Sequence, residues 1–85
     1  MNNTPEQFLS NLIKEIVNNP NSVSVEQIED ERGIFLKLRV APEDMSFVIG
    51  KKGVNANAIK LVSKLFGFKH GLRVSLKIEE PVQAS

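Results

Sequence analysis

The sequence predicts an α+β domain in the order helix, strand, strand, helix, helix, strand, built as a three-stranded mixed sheet with its helices on one face. Three observations lead there. Apolar and polar residues alternate over 34–40 and 72–78, the period-two pattern of half-buried strands. Over 8–17 and 54–66 the apolar residues recur at helical spacing instead. Two helical segments separate the clear strands, and a strand–helix–helix–strand crossover favours parallel pairing with a right-handed connection.

The first helix has a legible start. Thr4 suits the N-cap, Pro5 the first helical position, and Gln7 stands where a capping-box partner belongs. Phe8, Leu9, Leu12, Ile13, Ile16 and Val17 then form a stripe able to face one core, and Asn18-Asn19-Pro20-Asn21 stops the helix. Ser22 to Glu29 reads as a valine-rich strand with imperfect alternation at Gln27-Ile28. The polar stretch Asp30-Glu31-Arg32-Gly33 turns the chain into a clearer strand, with Ile34, Leu36, Leu38 and Val40 on one face and Phe35, Lys37 and Arg39 on the other. The two strands are close enough to form an antiparallel hairpin.

Pro42-Glu43-Asp44 opens a short second helix, with acidic residues near the positive end of its dipole, and Gly50 interrupts it after Met45, Val48 and Ile49. A third helix follows Gly53 and runs to about Phe66, where Gly67 can supply a left-handed C-terminal residue. At ~100° per residue, Val54, Ala58, Leu61 and Leu65 make one stripe, widened by Ile59, Val62 and Phe66. Asn57, Lys60 and Lys64 line the opposite side. The apolar sector is broader than a small core requires, so Ile59 and Phe66 either seal the domain edge or meet a partner chain. The last strand, Leu72 to Ile78, points Leu72, Val74, Leu76 and Ile78 inward and Arg73, Ser75 and Lys77 outward. Residues 1–4 are read as a lead-in, 5–80 as one domain and 81–85 as a flexible tail.

Composition narrows the function classes. A chain of 85 residues buries only ~60% of its unfolded surface, so its stability is modest, on the order of 4–13 kcal/mol. Cysteine is absent, which excludes disulfides, thiolate metal sites and cysteine nucleophiles. With His70 as the single histidine, no metal or cofactor is expected. No apolar run approaches a membrane span and the N-terminus lacks signal-peptide character, so a cytoplasmic, soluble protein with no membrane role is expected. The net charge of +1 hides an asymmetry: residues 1–48 carry −4 and residues 49–85 carry +5. This is either an ordinary solvated surface or the mark of a polyanionic partner.

The informative stretch is Val48-Ile49-Gly50-Lys51-Lys52-Gly53-Val54. Glycine at both ends lets the backbone turn sharply and keeps side chains away from a ligand. The helix after Gly53 offers unpaired N–H groups and a positive dipole to phosphate. The two lysines project toward solvent or an anion, and Ile49 and Val54 can support unstacked bases. A lone GxxG is weak, but between two helices inside a strand–helix–helix–strand unit it is the arrangement that clamps about four backbone nucleotides in KH domains.

The run from Val40 through Pro42-Glu43-Asp44-Met45-Ser46-Phe47 to Gly53, followed by Ala58-Ile59-Lys60, resembles small bacterial single-KH proteins of the KhpA (YlqC-like) family. The resemblance extends from about residue 5 to residue 80, and the element order looks like the type II KH arrangement. It implies a cytoplasmic, non-enzymatic binder of single-stranded RNA, of the kind described as an RNA chaperone. It also implies self-association or pairing with a larger Jag/EloR-type KH protein, linked to cell shape, elongation and division. By position, Gly50, Lys51, Lys52 and Gly53 would hold the RNA backbone, with Ile49, Val54, Asn57 and Lys60 beside them. The helix from Val54 to Phe66 would supply a groove wall and, through Ile59, Val62 and Phe66, the dimer or partner contact. Relatives often carry basic residues where this chain has Val54 and Asn57, and each missing charge weakens phosphate attraction and flattens its salt dependence.

Other readings fare worse. Phe35 among Lys37, Arg39, Arg73 and Lys77 is a poor stacking platform, because such sheets use several aromatics, and a partly covered surface phenylalanine is the better account. The Gly50–Gly53 loop lacks the spacing and the trailing Lys-Ser/Thr of a nucleotide-binding P-loop, and no Ser/His/Asp arrangement has support. Neither catalysis nor a small-molecule substrate is expected. The competing function is a protein-interaction adaptor in which the 54–66 helix joins another chain.

Overall fold

In the computed structural model, which describes residues 4–79, Thr4 caps the first helix, α1 (Pro5–Lys14), by accepting the Gln7 N–H at 3.1 Å. The tail expected at 81–85 lies outside the described residues. Leu9 and Ile13 are fully buried, but the helix ends before the apolar stripe does, leaving Ile16 exposed. The early end has a visible cause. The Asn18 and Asn19 N–H groups donate to the Asp44 carboxylate at 3.2 and 3.0 Å, which draws the chain off the helix axis. Pro20–Ser22 forms a single 3-10 turn, so the first strand begins two residues later than its sequence indicates.

That strand, β1 (Ser24–Asp30), pairs antiparallel with β2 (Gly33–Arg39). The pairing explains the broken alternation at Gln27-Ile28. Gln27 lies opposite buried Leu36 and its Oε1 accepts the Glu6 N–H of α1 at 3.2 Å, so a polar side chain occupies an inward position. Ile28 faces outward beside Phe35 on the open side of the sheet. Asp30 closes the turn by accepting the Arg32 N–H at 2.8 Å. Ile34, Leu36 and Leu38 of β2 and Val40 just beyond it are all buried, as their period-two spacing requires.

Two further helices follow, α2 (Pro42–Ile49) and α3 (Val54–Lys69), and the chain returns as β3 (Val74–Ile78), parallel to β2. The sheet order is β1-β2-β3, with β2 central. Its covered face packs Leu36, Leu38, Ile34 and Val74 against Leu9 and Ile13 of α1, Val48 of α2 and Ile59 of α3. No helix among the described residues is long and apolar enough to cross a membrane.

Three expectations for the second half need correcting. The helix does not stop at Phe66: it runs to Lys69, and Gly67 is a buried residue inside it. A Cβ on Gly67 would lie 2.6 Å from Val74 Cγ2 and 2.8 Å from the Leu72 carbonyl oxygen, so α3 and β3 meet more closely than any larger residue allows. Gly71, with φ near +69°, is the left-handed residue that turns the chain. Leu72 precedes the strand and stays exposed rather than pointing inward.

Most consequentially, α3 is rotated from its sequence-based orientation. Its buried residues are Ala56, Ile59, Ser63 and Gly67, not Val54, Ala58, Leu61 and Leu65. The inward face is the one with small side chains, because the sheet opposite is filled by leucine, isoleucine and valine and space remains only for a close approach. Ser63 is tolerated there because its hydroxyl donates to the Ile59 carbonyl at 2.9 Å.

Candidate nucleic-acid interface

The α2–α3 turn is built by a run of left-handed backbone. Gly50 has φ +74°, Lys52 has φ +58° and Gly53 has φ +76°. A side chain at such angles is strained, which explains glycine at two of the three positions and makes Lys52 the non-glycine exception among the described residues. Gly50 donates to the Ser46 carbonyl at 2.8 Å to end α2, and Gly53 donates to Gly50 at 3.2 Å to close a 3-10 turn. Between them Lys51 and Lys52 are exposed, and neither forms an ion pair within the described residues.

A residue missed by sequence reasoning braces this turn. Asn55 donates through Nδ2 to the Phe47 carbonyl at 2.7 Å, tying the first turn of α3 back to the last turn of α2. Gly50 sits directly on that side chain: a Cβ there would come within 2.7 Å of the Asn55 Cγ. Gly50 is thus required twice, once by its φ and once by the asparagine packed against it. Gly53 has only open space around it, so its requirement is conformational alone. Gly53 also brings no capping side chain to α3, and although the Val54 N–H is taken by the Lys51 carbonyl, the positive end of the helix dipole faces this turn.

A second missed residue holds the turn from behind. Asp44, in the first turn of α2, is only 2% exposed and accepts from the Asn18 and Asn19 N–H groups and from Asn19 Nδ2 at 3.1 Å. It clasps the segment that follows α1 to the start of the helix that delivers the glycine turn. Its partners lie some 25 residues away in sequence, out of reach of any local motif.

The expected contact residues divide. Ile49 and the four residues Gly50–Gly53 form the turn, Val54 stands exposed beside it, and Asn57 and Lys60 lie exposed on one flank of α3 with Lys64 a turn further on. The flank leads to a groove of about 690 Å³ lined by Lys64, Phe68, Gly71, Leu72, Arg73, Val74 and Ser75. The ion pairs among the described residues join Glu79 to Lys37 and Arg39 on the sheet, so the cations along α3 and Arg73 remain uncompensated.

The trio expected to meet a partner does not share a surface. Ile59 is 6% exposed, inside the core, and Phe66 is half-buried between Phe8, stacked at 4.6 Å between ring centroids, and His70 at 4.4 Å. These two residues seal the domain edge. Only Val62 reaches the surface. The apolar side chains that α3 exposes by more than half are Val54, Leu61, Leu65 and Phe68, while the exposed Phe47 of α2 lies with Ile16, Asn55 and Ala58.

An αββααβ chain whose parallel crossover carries Gly-Lys-Lys-Gly between its two helices has the KH fold in its type II order. Comparison with known proteins agrees and is more specific. The model of the KhpA/KhpB KH domain matches residues 6–78, and the chain belongs to that family. An RNA-binding protein KhpA from Clostridium acetobutylicum is 42% identical over 73 residues, covering 86% of this chain and 97% of the relative. Proteins of the same description from Aquifex aeolicus and Streptomyces coelicolor are 42% and 41% identical, covering 79% and 84% of this chain and 85% and 89% of their own lengths.

Proposed function

We propose that this chain is a single-stranded RNA-binding module that grips the RNA backbone with Gly50-Lys51-Lys52-Gly53. The observation that carries the reading is the prebuilt turn: three left-handed residues and the Asn55 brace present two unpaired lysines at the open N-terminus of α3. Phosphate is drawn by Lys51 and Lys52 and received by backbone N–H groups, while Ile49 and Val54 lie against the bases and Asn57 and Lys60 extend the contact along the helix. The description of its relatives as RNA-binding proteins supports this. Such a role calls for no catalytic group and fits a cytoplasmic RNA chaperone.

The test is fluorescence anisotropy of labelled single-stranded RNA at two salt concentrations, comparing wild type with the Lys51→Asp/Lys52→Asp double variant. Wild-type binding that weakens with salt and is abolished in the variant supports the reading. Equal binding by both proteins, or none by the wild type, refutes it.

A second reading rests on the exposed face of α3. Val54, Leu61 and Leu65, with Val62 at their margin, form an apolar surface on a helix whose core face is already filled. It suits a second copy of the chain or a larger Jag/EloR-type KH protein, and so the adaptor role, with Leu61 and Leu65 in place of the buried Ile59 and the half-buried Phe66. The readings are compatible, because avidity from two coupled modules strengthens a groove that holds about four nucleotides. Through such a partner the protein would act in control of cell shape and division. Pull-down with that partner and sedimentation of the free chain test it; a chain that stays monomeric and captures nothing refutes it.

A further inference from the structure

Phe68 is the most exposed of the large apolar side chains, at 84%, although it sits near the end of a well-formed helix. Lys64 lies one turn before it on the same side of α3, and Arg73 lies across the groove at the entry to β3. Gly71 and Leu72 form the floor between them, and no carboxylate lines the groove. Neither cation has an ion-pair partner among the described residues. We propose that this groove is a stacking subsite for one unpaired nucleobase, with Phe68 as the platform and Lys64 and Arg73 holding the adjoining phosphates. The proposal rests on the RNA-binding reading and extends it to the far end of α3.

Three physical points favour a base as the occupant. An aromatic face accepts any base by stacking, and flanking cations supply the backbone attraction that makes such platforms effective. A protein partner that covered Phe68 here would have to cover Lys64 as well, a residue type in which interfaces are depleted. Gly71 presents open space at the groove floor, where a flat ring can enter without displacing a side chain. Position fixes which nucleotide is concerned. Val54 and Phe68 are separated by ~21 Å of helix at 1.5 Å per residue. A base on Phe68 therefore flanks the roughly four nucleotides clamped by the glycine turn.

The experiment measures tetra- and octa-uridylate binding by the wild-type chain, Phe68→Ala and Phe68→Trp, with solution mass followed in parallel. Phe68→Ala is expected to weaken the octanucleotide roughly 5- to 100-fold and to leave the tetranucleotide unchanged. Phe68→Trp restores octanucleotide affinity, and because the chain has no other tryptophan its fluorescence reports the ring alone and is quenched as RNA binds. Equal octanucleotide affinity for wild type and Phe68→Ala overturns the proposal. So does a fall in solution mass with both RNAs weakened alike, which would make the ring a protein contact. A wild type that binds neither RNA overturns the parent reading and this one with it, an outcome distinct from the other two.

Discussion

Replacing Asp44 with alanine removes one carboxylate and strands three donors. The Asn18 N–H, the Asn19 N–H and Asn19 Nδ2 lie 3.0 to 3.2 Å from its oxygens, and the carboxylate is 2% exposed. Hydrogen bonds to a charged group contribute ~1.5–3 kcal/mol each, and a buried donor left unpaired costs ~1–3 kcal/mol. Asn18 is exposed and Asn19 half-buried, so water can take over part of what the carboxylate did, and the three losses do not sum in full. A net destabilisation of ~2–4 kcal/mol follows, a large share of the ~4–13 kcal/mol available to a domain this small. Urea unfolding followed by far-ultraviolet circular dichroism is the assay: the midpoint should fall with the slope unchanged, and Tm should drop by ~4–8 °C for each kcal/mol lost. Asp44→Asn keeps one acceptor and turns an amide toward a donor, so it should fall between the two. An alanine variant within ~0.5 kcal/mol of wild type would refute the clasp as a stabilising contact.

Other perturbations follow from the same contacts. Gly67→Ala should destabilise by up to ~2 kcal/mol, because overpacking against Val74 and the Leu72 carbonyl, ~1–3 kcal/mol, outweighs the ~1 kcal/mol gained in helix propensity; a raised Tm would overturn the close-approach account. Asn55→Ala removes the 2.7 Å bond to Phe47 and should cost no more than ~1 kcal/mol of stability while lowering RNA affinity several-fold, and unchanged affinity would count against the brace. Leu61→Asp places a charge on an exposed position and should leave Tm nearly unchanged while abolishing self-association in sedimentation; a variant that keeps the wild-type mass would remove this face from the contact.

The hairpin and the core of β2 were legible because one face of each strand is buried, so period two records burial directly: Ile34, Leu36 and Leu38 could face only one way. The start of α1 was legible because a cap is local chemistry, with Thr4 and Gln7 three residues apart. The glycine turn was legible for the same reason. The orientation of α3 was not, because apolar residues cover more than half its circumference and the wheel favours the larger ones. The discriminating signal was the small residues: Ala56, Ser63 and Gly67 recur at spacings of seven and four and mark the side of closest approach. Asp44 and Asn55 were unreadable for a different reason. Each is an ordinary polar residue until the fold brings a partner to it, Asn19 from 25 positions away and Phe47 across the turn.

The topology has a consequence for the order in which the molecule assembles. The β1–β2 hairpin joins neighbours, closing through Asp30 and Gly33, whereas β3 registers Val74 against Ile34, forty residues earlier. Closing a span of that length is entropically slow, and non-local pairings of this kind dominate folding times. The glycine turn lies in the middle of the span. Both helices and the bend between them lie within the span that docking of the third strand must close. Substitutions that stiffen or distort the bend at Gly50 or Gly53 should then slow refolding itself. A loss of binding in such variants would need to be separated, by stopped-flow measurement, from a delay in reaching the native state at all.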